Sequence, residues 1–144
     1  MNIYLIGSLR NPQVPIVAED LRGEGFNVFD DWFSAGPEAD DHWQAHAQYR
    51  NQTYFEALDS PHARNVFEFD TKWIQWADVV VLLMPAGKSG HLELGWALGR
   101  GKLGYVLFDG EPERYDVMYR FATGVFLDTK DLATALHAVD SNLA

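Results

Sequence analysis

The run VVVLL, residues 79–83, is five consecutive apolar residues, three of them β-branched, held between an aspartate and the dipeptide Met84-Pro85. A strand with one solvated face alternates apolar and polar residues. An unbroken apolar run of this length is a strand only if both faces are covered, the condition met in a parallel sheet flanked by helices. This commits the chain to the α/β class. IYLIGS (3–8) predicts a first strand ending at a glycine, and Val14, Val17 and Leu21 are spaced for a helix that stops by Gly25. FNVFDDW (26–32) predicts a second strand with two acids at its end. After Pro85 follow a helix over about 90–100, strands in LGYVLFD (103–109) and GVFLD (124–128), and a last helix beginning near Thr129. The expectation is a three-layer α/β sandwich with a five-stranded parallel, flavodoxin-like sheet and right-handed crossovers.

With 144 residues and 47% hydrophobic content, one domain over 1–144 is expected. Residues 36–65 interrupt the alternation and are read as a helical insertion. Within and after it, 40–58 reads as one helix, 59–70 as a connection, and Asp70 as the cap of a helix over 71–77. Trp32, Trp43, Trp73 and Trp76 are expected to supply some pocket wall as well as core. No cysteine is present, so disulfides and cysteine-rich metal sites are excluded and a cytoplasmic setting is expected. The apolar N-terminal run lacks a basic leader, and no run is long enough to span a bilayer, so no membrane partner is expected. The formal charge of −10 disfavours a nucleic-acid polymer, whose phosphates reward positive charge.

In open parallel sheets ligands bind beyond the carboxyl ends of the strands. Those ends bring together Gly7, Ser8 and Arg10 after the first strand, Asp31 and Trp32 after the second, and Ser89, Gly90 and Glu93 after the third. GSLR offers N–H groups, a hydroxyl and a guanidinium suited to an anion, or else an ordinary turn with a solvated arginine. Glu93 near the start of a helix, with Leu92, Trp96 and Leu98 expected to face the sheet or a neighbour, is favoured as an anion by the helix dipole. It is read as a nucleophile, or else as a complement to that dipole on a solvated face. His91 is read as capping or packing.

Four segments together resemble the nucleoside 2-deoxyribosyltransferase family and the related 2′-deoxynucleoside 5′-monophosphate N-glycosidases: IYLIGSLR, FDTKWIQWADVVVLLMP, SGHLELGWALGRGK and YDVMYRF. The resemblance implies that Glu93 attacks the anomeric carbon, that Asp70 moves a proton for the departing base, and that Tyr4 positions the nucleophile. It further implies that Asp116 and Met118 reach into a neighbouring subunit's site, so that a homo-oligomer shares its active sites. No metal or cofactor is implied. Asp78 is read as structural. The loop PAGKSG carries Lys88 and no acid, unlike many of the transferases, and GSLR is closer to the monophosphate glycosidases. Asp116 stands where those enzymes are expected to place a phosphate-binding serine, and a carboxylate there would repel a phosphate. The expected substrate is therefore a 2′-deoxynucleoside or its 5′-monophosphate. The alternatives are a non-catalytic nucleotide-binding or sensing domain, and a glycosidase of another nucleotide derivative.

Overall fold

Strand β3 (Val79–Leu83) sits at the centre of the sheet, buried along its whole length. The computed structural model describes residues 1–143. Around β3 the parallel strands β1 (Asn2–Ile6), β2 (Asn27–Phe29), β4 (Leu103–Leu107) and β5 (Gly124–Phe126) pair in the order β2-β1-β3-β4-β5. This is the flavodoxin-like order expected from the sequence. Register places Tyr4 beside Phe29 on one side and Val80 on the other.

The two-residue period of each strand divides the core. Ile3, Leu5, Val79, Val81 and Leu83 face α1 (Gln13–Gly23) and α6 (Thr129–Leu143). Tyr4, Ile6, Val80 and Leu82 face the other layer, α4 (Pro61–Trp76) and α5 (Lys88–Gly99). Asp78 is structural: its carboxylate accepts from the Asn2 N–H at 2.8 Å, beside the bond from its own N–H to the Asn2 carbonyl. No described helix is long and apolar enough to cross a membrane.

Three local expectations are corrected. Residues 40–58 form two helices, α2 (Ala39–Tyr49) and α3 (Tyr54–Leu58), separated where Asn51 takes φ 56°. Helix α3 starts afresh because Thr53 and Glu56 make a reciprocal capping box that satisfies its first amides. Residues 59–70 are not a connection, and Asp70 is no cap. One helix, α4, begins at Ser60, whose hydroxyl accepts from the Ala63 N–H ahead of a favourable first-turn Pro61. Asp70 therefore projects from the body of α4. On α5, Leu92 is 74% exposed, and the sheet-facing line is Gly90, Leu94 and Ala97, which repeats at the helical period. A side chain at Gly90 would collide with Leu82 and Ile6, at 2.9 and 3.2 Å, so glycine lets the start of α5 press onto the strand ends.

Candidate active site

Three elements bring three acidic groups together. Tyr4 comes from the middle of β1, Asp70 from the body of α4, and Glu93 from the second turn of α5, beside its sheet-facing line. The carboxyl of Glu93 is pushed up to about 7, first by burial and then by the neighbouring Asp70, against a smaller opposing effect of the nearby Tyr4 hydroxyl. Asp70 is raised to about 6 by burial. Burial, Glu93 and Asp70 together hold the Tyr4 phenol far above its ordinary value, so it stays protonated and can only donate to the carboxylate. A carboxylate that merely complements the helix dipole on a solvated face does not fit: Glu93 Oε2 is buried, and desolvation and a second acid raise its proton affinity.

Aromatic rings floor this cluster. Phe29 stacks on Tyr4 at 5.4 Å and on Trp73 at 4.5 Å, and Phe69 meets both Phe29 and Trp73 edge-on or tilted. Glu93 Oε2, Trp73 Nε1 and Asn11 Nδ2 are the buried side-chain polar atoms without a hydrogen-bond partner among the described residues. Two of the three belong to this cluster, and an unmet buried polar atom is costly unless something fills it. Among the described residues no group of His, Cys, Asp or Glu is arranged to hold a metal ion.

The remaining expected site residues divide. Gly7 is wedged between Val14 and Trp32, and the Trp32 indole donates to the Leu5 carbonyl at 2.8 Å, so Trp32 braces the ends of β1 and β2. Ser8 Oγ accepts from the Arg10 N–H at 3.1 Å, ordering the turn into α1. Arg10 does not face an open cradle: it donates to the Asp41 carboxylate and the Pro37 carbonyl of the insertion. Asp31 is exposed, and with Trp73 and Trp76 it lines a cavity of about 420 Å³ along the β2 edge. Ser89 is exposed and Gly90 buried.

Asp116 caps the 3-10 turn Val117–Phe121 by accepting from the Met118 N–H at 2.8 Å. With Met118 it lines a cavity of about 720 Å³ against His91, Leu94 and Gly95. On a helix turning about 100° per residue, that is the side of α5 opposite Glu93. The fold therefore brings Tyr4, Asp70 and Glu93 together in one subunit and leaves Asp116 and Met118 apart from them. Trp73 is one of the tryptophans expected to supply pocket wall, whereas Phe29, Phe69 and Asp41 were not singled out from the sequence. The aromatic spacing Phe69, Trp73, Trp76 around Asp70 was the available signal for Phe69, whereas the Arg10–Asp41 contact had none.

No family model matches this sequence, and no curated protein matches it. Among solved structures, the chain is similar to the 2-deoxyribosyltransferase from the psychrotolerant bacterium Bacillus psychrosaccharolyticus, with 22% identity and a TM-score of 0.64 over 92% of this chain and 90% of that one. It is also similar to the CMP N-glycosidase BcmB of Clostridium botulinum, with 19% identity and a TM-score of 0.52 over 95% of this chain and 99% of that one. The likeness is one of architecture: the chain has the 2-deoxyribosyltransferase fold.

Proposed function

We propose that the protein breaks, or transfers across, the N-glycosidic bond of a 2′-deoxynucleoside or its 5′-monophosphate. The observation that carries this reading is the Glu93–Asp70 pair: two half-buried carboxyls from different elements, one with a buried unpartnered oxygen, raised to about 7 and about 6, with the Tyr4 hydroxyl beside Glu93. Two such groups share a proton over the pH range between their titrations. Between about 6 and about 7 that proton rests mainly on Glu93, and the reactive form is the minor one, with the anion on Glu93 and the proton on Asp70, which the neighbouring Tyr4 hydroxyl favours. The two similar folds, a deoxyribosyltransferase and a nucleoside monophosphate glycosidase, support the same chemistry.

In the proposed reaction a carboxylate oxygen of Glu93 bonds to C1′ while the C1′–N bond breaks and its electron pair passes to the base. Asp70 supplies a proton to that base. A second base or a water then attacks C1′, the ester to Glu93 is released as carboxylate, and Asp70 recovers a proton from the incoming nucleophile. The aromatic floor of Phe29, Phe69 and Trp73 offers stacking for a base beside Asp70. Exposed apolar side chains at Tyr115, Val117, Met118 and Phe121 support an oligomer in which this segment covers a partner's site. A fully active monomer by sedimentation at assay concentration would remove that part.

The test is chromatographic detection of free base from a panel of deoxynucleosides and their monophosphates, with and without an acceptor base. A 2-fluoro-arabinosyl substrate should leave a mass adduct on the peptide containing Glu93. Absence of any base release across the panel would favour a binding or sensing role.

A further inference from the structure

Helix α2 is attached to the rest of the molecule at few points. Ala47 is its one buried residue. Its Trp43 ring meets Tyr54 of α3 at 6.5 Å and His62 of α4 at 6.4 Å. Near its start, Arg10 of the β1–α1 loop donates from Nη2 to Asp41 at 3.1 Å and from Nε to the Pro37 carbonyl at 3.4 Å. A residue of positive φ lies at each junction, Gly36 at 90° and Asn51 at 56°. A helix fastened by one ion pair at one end and ring contacts further along, with such a residue on either side, has the construction of a hinged element.

Arg10 has two competing uses. Its bond to Asp41 joins side chains that are 69% and 62% exposed, and a pair so exposed sustains only a few-fold preference for the bonded state. A phosphate dianion offers three strong acceptors and takes a guanidinium through two parallel N–H groups. Holding Asp41 and phosphate at once would set the dianion against Glu38, Asp40 and Asp41, all at the start of α2. One partner must yield.

The geometry points to α2 as a strap latched by the Arg10–Asp41 pair, opened by a 5′-phosphate and left closed by an uncharged 5′-hydroxyl. This rests on the reading of the site as one for nucleosides or nucleotides. Asp41 is then the residue that makes the protein distinguish the two substrate forms, because only the monophosphate displaces it from Arg10.

Hydrogen exchange over residues 37–52 reads the latch without turnover, in a Glu93→Gln protein. Saturating deoxynucleoside 5′-monophosphate should raise exchange about three- to fivefold, the ratio such an ion pair sustains, and the matching nucleoside should not. Inorganic phosphate should act in the same direction as the monophosphate. Asp41→Asn should raise exchange without ligand and abolish the response, as should Arg10→Ala, while amides of β3 remain unchanged and report an intact fold. Unchanged exchange at saturating monophosphate, or wild-type exchange in Asp41→Asn, would overturn the latch. Failure of the monophosphate to bind by calorimetry would overturn it as well. Base release from the free nucleoside by wild-type protein decides the catalytic proposal separately.

Discussion

His91 and Glu93 stand two residues apart on α5 and face opposite sides, and the fold treats them in opposite ways. The His91 ring donates from Nδ1 to the Gly87 carbonyl at 2.7 Å and accepts at Nε2 from the Tyr119 hydroxyl at 2.9 Å. Both nitrogens are used, and the ring fastens the 3-10 turn Val117–Phe121 onto the helix. Glu93 is half-buried beside a second acid, with one buried oxygen unpartnered and its proton held to about 7. A satisfied polar side chain secures structure. An unsatisfied, charge-frustrated one lowers stability, and such costs concentrate where chemistry is done.

The sharpest way to break this contrast is to neutralise Glu93. Glu93→Gln should reduce base release by at least about a thousandfold, as loss of a covalent nucleophile does, while leaving the fold intact. Near-native turnover in that variant would remove the nucleophile assignment. Asp70→Asn should slow poor leaving bases by roughly a hundredfold and activated nitrophenyl-type glycosides much less. Equal slowing of both would leave Asp70 a structural part of α4. The singly protonated pair should also produce a bell-shaped pH profile centred between about 6 and about 7, flattened on one limb in each single variant.

Stability should move the other way. Between pH 4.5 and about 7 the folded protein holds a proton on Glu93 that the unfolded chain has lost. Stability therefore falls as pH rises through that window, and the penalty is complete above it. Glu93→Gln should accordingly raise stability at pH 8, by on the order of 2–3 kcal/mol at most, with the gain vanishing below about pH 4.5. Thermal melts at the two pH values measure this, and a variant no more stable than wild type at pH 8 would contradict the frustrated-carboxylate picture. The smallest effect belongs to the other side of the helix. Tyr119→Phe, which deletes the bond to His91, should lower stability by about 1 kcal/mol and change turnover only a few-fold. A loss of turnover comparable to that of Glu93→Gln would place His91 in the chemistry after all.

Much of the architecture was legible along the chain. The doubly buried apolar run of β3, the strand-helix alternation and the order of elements all follow from periods of two and 3.6 residues. The helix boundaries in the insertion were also written there, as Thr53 with Glu56 inside the glycine- and proline-free stretch 40–58, and as Ser60 with Pro61 after it. The face of α5 was misjudged because Leu92 is apolar yet lies off the line set by Gly90, Leu94 and Ala97.

What the sequence by itself determined was the class of fold and the place of Glu93 beyond a strand end, because local spacing dictates which side chains share a face, whereas Tyr4 and Asp70 are implied only by the family resemblance. Only the tertiary structure decided how those acids behave. Tyr4, Asp70 and Glu93 are far apart in the chain, and their proton affinities arise from mutual approach and shared loss of water, neither of which has a local signature. The same holds for Arg10, whose guanidinium reads as free in GSLR. It is occupied in the folded chain because Asp41, thirty-one residues on, comes back within hydrogen-bond reach of it.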